Sequence, residues 1–345
     1  VVYEIDFLPS RGRSARGVTG ASAITVRFTV DGEGDEAVVV IDGGDTRTGE
    51  AIVDHVRTYY DSRSVDLVIA THTSAAAQLA GLVVLLDKLD VRELMIHQPR
   101  RHGAHESTPG ELDAVDDLLD VARRRGVTIS EPFTGAFRVN GQVAILGPSQ
   151  SYYERLVTDA VESSDDAGDD GGRFLGRALR RLHVDGFAER EQPPIGDDRS
   201  VVTMIQVGDH RLLFTGDAGA GALEEALDFY ESWYGEFDTL PLRFFQAPHH
   251  GNPKVLGSAI LDRLFGTTRA PHGDGCAVFI SSAGGEQDQA SPKLINALNR
   301  RRCAVSATDG RAACHAFEAP PRPEWLQLPS AHRSRGRTTT QPQSS

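Results

Sequence analysis

Cysteine is scarce. The 345 residues contain three, Cys276, Cys303 and Cys314, which are far apart and odd in number, and no C-x-x-C occurs. This argues against a disulfide scaffold and a cysteine-based zinc knuckle, and it points to a reducing compartment, the cytoplasm. Long apolar runs are also missing. None reaches transmembrane length and no secretory signal pattern is present, so no membrane association is expected. Basic charge is outweighed: 36 Lys and Arg stand against 49 Asp and Glu, a formal net charge of −13. A uniformly acidic surface repels nucleic acid and anionic membranes, so a polyanion substrate would need a local basic groove or a metal. No short repeat period is found. The chain opens on Val1 instead of Met, as a processed form or a piece of a longer protein would.

What is there is ordinary globular material, 39% apolar and 25% charged, long enough for one large α/β domain or two small ones. "VVYEIDFLP" alternates as a strand, and "SAITVRFTV" with "EAVVVIDGG" reads as a hairpin around "DGEGD". "TGEAIVDHVRTYY" (48–60) has helical spacing, "VDLVIAT" is a buried strand, and "LAGLVVLLDKL" (79–89) is a helix. "RELMIHQP" is a strand. "TPGELDAVDDLLDVARRRG" is a helix with Thr108 as N-cap and Gly126 as stop, and Asn140-Gly141 turns a hairpin. After an acidic Ser/Asp/Gly run, "SVVTMIQVGDHRLLFTGDA" resumes the strands. A helix, the strand "LRFFQAPHHG", the strand "CAVFISS" and a helix capped by Ser291 follow. Two β-rich halves, each followed by helices, predict an αββα sandwich of two mixed sheets. It is read as one domain over 1–332, with a disordered acidic insertion at 162–198 and a disordered tail at 333–345.

Several chemically capable residues end predicted strands. Asp42 precedes two glycines, where a tight turn is the plain alternative. Asp217 in "LLFTGDA" could bridge cations or simply cap a helix. His249-His250 in "QAPHHG" is more specific, because a neutral imidazole at a strand end is a good zinc ligand. His72 and His97 each close a strand and, taken singly, read as turn histidines satisfied by hydrogen bonds. Their shared placement matters more, since strand ends in a layered α/β fold converge on one edge, where sites are built.

The order "IDGG … VDLVIATH … LAGL … ILGPS … LLFTGDA … APHHG … AVFISS … SPKLINAL" resembles the metallo-β-lactamase-fold hydrolases. Within them it is most similar to the branch related to the hydrolase domain of the ComEC competence proteins, over roughly residues 3–327. The resemblance implies one or two zinc or manganese ions and hydrolysis of ester-type bonds, phosphodiesters in that branch. It also implies metal ligands at His72, Asp217, His249 and His250, with Asp42 and His97 as weaker candidates, and catalytic roles for Asp217 and His250.

The chain departs from the family pattern at the first motif. T-H-x-H-x-D-H becomes "THTSAAAQLAGL". Ser74 stands at the second ligand. Ala76 and Ala77, or Ala77 and Gln78 when counted back from Gly81-Leu82, stand at the Asp-His pair. Gln289 in "DQASP" replaces a later His, and Ser22 in "ASAI" an early Asp. Alanine binds no metal, so at most one zinc or manganese ion, or none, is expected. Three readings follow. The first is a catalytically weak or inactive fold relative acting as a binding or assembly module with a protein partner. The second is a one-metal hydrolase of phosphodiesters through His72, Asp217 and His250, reaching nucleic acid through a local site. The third is an engineered inactive form in which Ala75–Ala77 were introduced.

Overall fold

A computed structural model describes residues 2–9, 13–14, 17–18, 22–73, 76–104, 111–165, 197–281, 291–308, 310–320, 322 and 324–328. One sheet has eight strands: β1 (Tyr3–Pro9), β4 (Ser22–Thr29), β5 (Glu36–Ile41), β6 (Ser64–Ile69), β7 (Asp90–Met95), β8 (Thr128–Ser130), β18 (Ala313–Phe317) and β19 (Leu326–Gln327). Their spatial order is β19-β18-β1-β4-β5-β6-β7-β8. The other has seven: β9 (Phe137–Arg138), β10 (Val143–Gly147), β11 (Val202–Val207), β12 (His210–Phe214), β13 (Phe244–Gln246), β16 (Ala277–Ile280) and β17 (Ala304–Ala307), ordered β17-β16-β13-β12-β11-β10-β9. Two short ribbons stand apart, β2 (Arg13–Ser14) with β3 (Gly17–Val18) and β14 (Gly266–Thr267) with β15 (Ala270–Pro271). Seven α-helices lie among the described residues: α1 (Thr46–Tyr59), α2 (Ala76–Lys88), α3 (Glu111–Arg125), α4 (Gln150–Asp165), α5 (Ala220–Tyr234), α6 (Ser258–Phe265) and α7 (Pro292–Arg300).

The two-residue period of the strands sorts side chains into layers. In β5, Ala37, Val39 and Ile41 join the core between the sheets, with Phe7, Phe28, Ile145, Phe214 and Phe279. Val38 and Val40 point the other way, onto Ile52 and Val56 of α1, Leu82 and Leu86 of α2 and Leu118 of α3. On the second sheet, Leu146, Met204 and Leu213 pack against Leu223 and Leu227 of α5, Leu264 of α6 and Leu298 of α7. Each fully buried Leu or Phe contributes about 1.5–3 kcal/mol. The result is a helix-sheet-sheet-helix sandwich, as the element order predicts.

Some boundaries differ from the sequence reading. Helix α1 starts two residues early because Asp45 caps it, accepting from the Thr48 amide at 2.8 Å. Helix α2 starts at Ala76, since alanines extend a helix readily. Helix α4 runs on to Asp165 and a 3₁₀ turn spans Asp197–Arg199, so only 166–196 of the expected insertion lies outside the described residues. Thr108 and the tail from 329 also lie outside them. Ser291 occupies the N-cap of α7 without a side-chain hydrogen bond. Among the described residues no helix is long and apolar enough to cross a membrane.

Candidate functional site

Strands β5 and β6 are parallel neighbours, and so are β12, β13 and β16. The loops after these strands form the walls of one small pocket, of about 30 Å³, room for a few waters or one small head group. Its functional side chains are Asp42, His72, Gln78, Asp217, Gln246 and His250. The sheets are tied together beside it, where the Val201 amide donates to Thr71 O at 2.8 Å; within the second sheet the Asp217 amide donates to Ser200 Oγ at 3.0 Å. Gly216 permits this approach, since a Cβ there would sit 2.6 Å from Ser200 Oγ.

The hydrogen bonds fix where protons lie. The Thr71 amide and hydroxyl both donate to Asp42, at 2.8 and 2.7 Å. Having given its one hydrogen to Asp42, the Thr71 hydroxyl can only accept from His72 Nδ1, 2.9 Å away. The other ring nitrogen, His72 Nε2, lies 3.9 Å from Asp217 Oδ2. His250 Nδ1 lies 3.1 Å from Ser281 O, a carbonyl that only accepts, so His250 Nδ1 is the donor. Burial raises the Asp42 carboxyl above the usual carboxylate range, against the pull of His72 and the Thr71 bonds. Burial acts the same way on Asp217, but His72, His250 and His249 together hold it below that range.

The backbone is strained at the same place. Asp42, His249 and His250 have φ of 59°, 47° and 55°, left-handed values that cost a non-glycine residue on the order of 1–3 kcal/mol each. Strain of this kind collects where a fold holds side chains for a task and not for packing.

Each prepared imidazole gives its other nitrogen's proton to an oxygen, the arrangement in which histidine ligates metals. A tightly held zinc needs about three protein ligands. Among the described residues no group of three or more His, Cys, Asp or Glu could hold a metal ion. His72 and Asp217 supply a pair and His250 stays on the pocket wall, so the residues as arranged do not fit a tight metal site.

Other expected residues go elsewhere. His249 is not part of the pocket wall, although its charge acts on Asp217. His97 closes β7 but turns into packing: it is 1% exposed and stacks on Tyr153 at 4.2 Å and against Phe133 at 4.9 Å. Ser74, Ala75 and Gln289 lie outside the described residues, as do the side chains of Ala77 and Ser22. Gln78 is the residue α2 contributes to the pocket. Gln246 and Ser281 were not anticipated. Gln246 ends β13 and so carries the strand-end signal, although its side chain is neither imidazole nor carboxylate. Comparison with known proteins finds no family model and no curated protein that matches the chain.

Proposed function

We propose that this chain is a metallo-β-lactamase-fold relative, of the ComEC-like branch, whose metal pocket has lost catalytic competence and which works as a binding or assembly module. The observation that carries the reading is the composition of the pocket. Gln78 and Gln246 stand on its walls, and a pair of donors, His72 and Asp217, faces across 3.9 Å where hydrolysis of a phosphodiester calls for a closed ligand set. The strained Asp42, His249 and His250 backbone supports retention of the pocket for recognition. The test is elemental analysis of protein purified without chelator, together with turnover of bis(p-nitrophenyl) phosphate in zinc and in manganese. The expected result is at most one weakly held ion per chain and no turnover above blank. Two tightly bound ions per chain, or turnover abolished by Asp217→Ala, would sink the reading.

A one-ion hydrolase is the second reading. It is favoured by the His72 and His250 rings, each held through Nδ1 by an oxygen, and it requires His250 to close on the His72–Asp217 pair. Zinc or manganese would be held by those three residues and would supply Lewis acidity. Loss of turnover in both Asp217→Ala and His250→Ala would select it.

A further inference from the structure

Arg211 and Arg243 stand side by side at the end of β12 and β13 remote from the pocket. The two strands are parallel with Leu212 opposite Phe244, and the Arg243 amide donates to Arg211 O at 2.9 Å. Leu213 and Phe245, two residues further along each strand, belong to the core under α5, so both arginines leave the sheet on that outer face. Arg211 is 6% exposed, yet its Nε has no hydrogen-bond partner among the described residues. Its one guanidinium bond runs from Nη1 to Asp209 O at 3.4 Å. Nη2 makes no bond among the described residues and is not a buried atom, so it is open to a ligand from outside. The Arg211 charge acts on the hydroxyls of Tyr230 and Tyr234 of α5. Arg243 is half-buried, and its charge acts on Tyr3 and His210.

Among the described residues neither arginine forms an ion pair. Glu231 of α5 is committed to Arg263 at 2.7 Å, and Asp209 offers Arg211 its backbone carbonyl. The chain has 49 Asp and Glu, so carboxylates are not in short supply. Two like charges on neighbouring strands, one of them buried, repel each other and have lost water, a cost that a bound counter-ion would remove. Packing of the arginine stems alone would not favour that placement.

We propose that Arg211 and Arg243 form a second site, which binds the phosphate dianion of inorganic phosphate or of a small phosphomonoester, with the Tyr234 hydroxyl as a further donor. A guanidinium presents a planar fork that gives an oxyanion two parallel N–H bonds, and two guanidiniums match two negative charges. A phosphodiester carries one charge and is the poorer complement. The two sites lie at opposite ends of β12 and β13, so neither metal content nor turnover at the pocket bears on this one.

The experiment is an amide NMR titration of the full chain, treated with chelator, using inorganic phosphate and methyl phosphate at constant ionic strength. It is run at about pH 7.5, where both are largely dianions. Saturable shifts at the Leu212, Tyr234 and Phe244 amides are expected, with a dissociation constant on the order of 1 mM, and none at Gly44 or Gly216 beside the pocket. Dimethyl phosphate, with a similar shape and one charge, should bind at least about fivefold more weakly. Arg211→Gln and Arg243→Gln should each weaken binding at least about tenfold, with folding verified by circular dichroism. Arg243 is the less buried of the two, so its variant keeps the test decisive if Arg211→Gln unfolds. Methyl phosphate binding at least as tightly as inorganic phosphate assigns the site to phosphomonoesters; weaker binding on methylation assigns it to free phosphate. The assignment is overturned by no saturable shift from either anion, by shifts confined to Gly44 and Gly216, by equal affinity for dimethyl phosphate, or by undiminished binding in a folded Arg243→Gln.

Discussion

His97 shows how one residue can satisfy a sequence rule and still serve another purpose. It closes a strand as a ligand would, yet its ring stacks on Tyr153 and leans against Phe133, and neither ring nitrogen has a partner among the described residues. Burial pushes its pKa down to about 3. An unfolded histidine binds its proton below about pH 6.5. Between those two values the unfolded chain holds a proton that the folded chain refuses, so stability falls as pH drops through that window, by at most about 1.4 kcal/mol per pH unit. His97→Phe keeps the stack and removes the titration. The variant is expected to gain about 1 kcal/mol at pH 7 and to flatten the acid limb of stability between pH 6 and 4, read from urea midpoints. An unchanged acid limb would show that His97 is not held neutral by burial.

At the scale of elements, the pocket depends on close contact between the β5 loop and α2. Gly81 in α2 donates its amide to Gly44 O at 2.9 Å, and a Cβ on Gly81 would lie 2.0 Å from Gly43 O. Gly49 of α1 is equally close to Gly81, its Cβ position 2.4 Å from the carbonyl. Two helices and a strand end thus meet backbone to backbone, and no side chain fits between them. Gly81→Ala is expected to cost about 2–3 kcal/mol by overpacking and to displace the loop that carries Asp42. Chemical denaturation reads the first effect, and amide shifts at Gly44 and Thr71 read the second. A wild-type midpoint with unmoved amides would refute the close-contact account. The strands and most helices here were legible in the sequence, because period and capping are local. The early start of α2 was hidden by the expectation of a ligand turn at 74–78.

Across the whole molecule, the two ends of the chain are tied to helix α1 on the outer face of the eight-stranded sheet by a buried charge cluster. Arg322 donates to Asp6 at 2.8 and 3.0 Å and to Glu4 at 2.6 Å, with Glu4 and Asp6 at most 2% exposed. His55 and Tyr60 also bond Asp6, at 2.9 and 2.8 Å. Burial pushes the Asp6 carboxyl up, but the His55 and Arg322 bonds bring it below the ordinary range. Its stabilisation is therefore present above about pH 4 and is lost as pH falls through the lower folded value. Arg322→Ala removes the guanidinium shared by two buried carboxylates, leaving Glu4 to Arg27 and Asp6 to His55 and Tyr60, and is expected to cost about 3 kcal/mol at pH 7. The deficit should shrink toward pH 4.5, because protonation then neutralises carboxyls that have lost one of their partners. Calorimetry of both proteins across that range checks it; a deficit that stays constant with pH would mean the loss is one of packing and not of charge.

The sequence by itself determined the alternation of strands and helices, the αββα layering, and the placement of Asp42, His72, His97, Asp217 and His250 at strand ends. Those follow from two-residue and 3.6-residue periods and from turn chemistry, which act over a few neighbours. Only the tertiary structure decided which strand ends meet. Asp42, His72, Asp217 and His250 share one pocket, His97 is diverted into an aromatic stack, and Gln78 and Gln246 take places on the wall. It also decided that Arg322 finds Asp6 across 316 residues of chain. The physical reason is that convergence depends on how two twisted sheets stack, on the glycine contacts that let loops approach, and on which hydroxyl or carbonyl takes each imidazole proton. None of these is encoded within a single element.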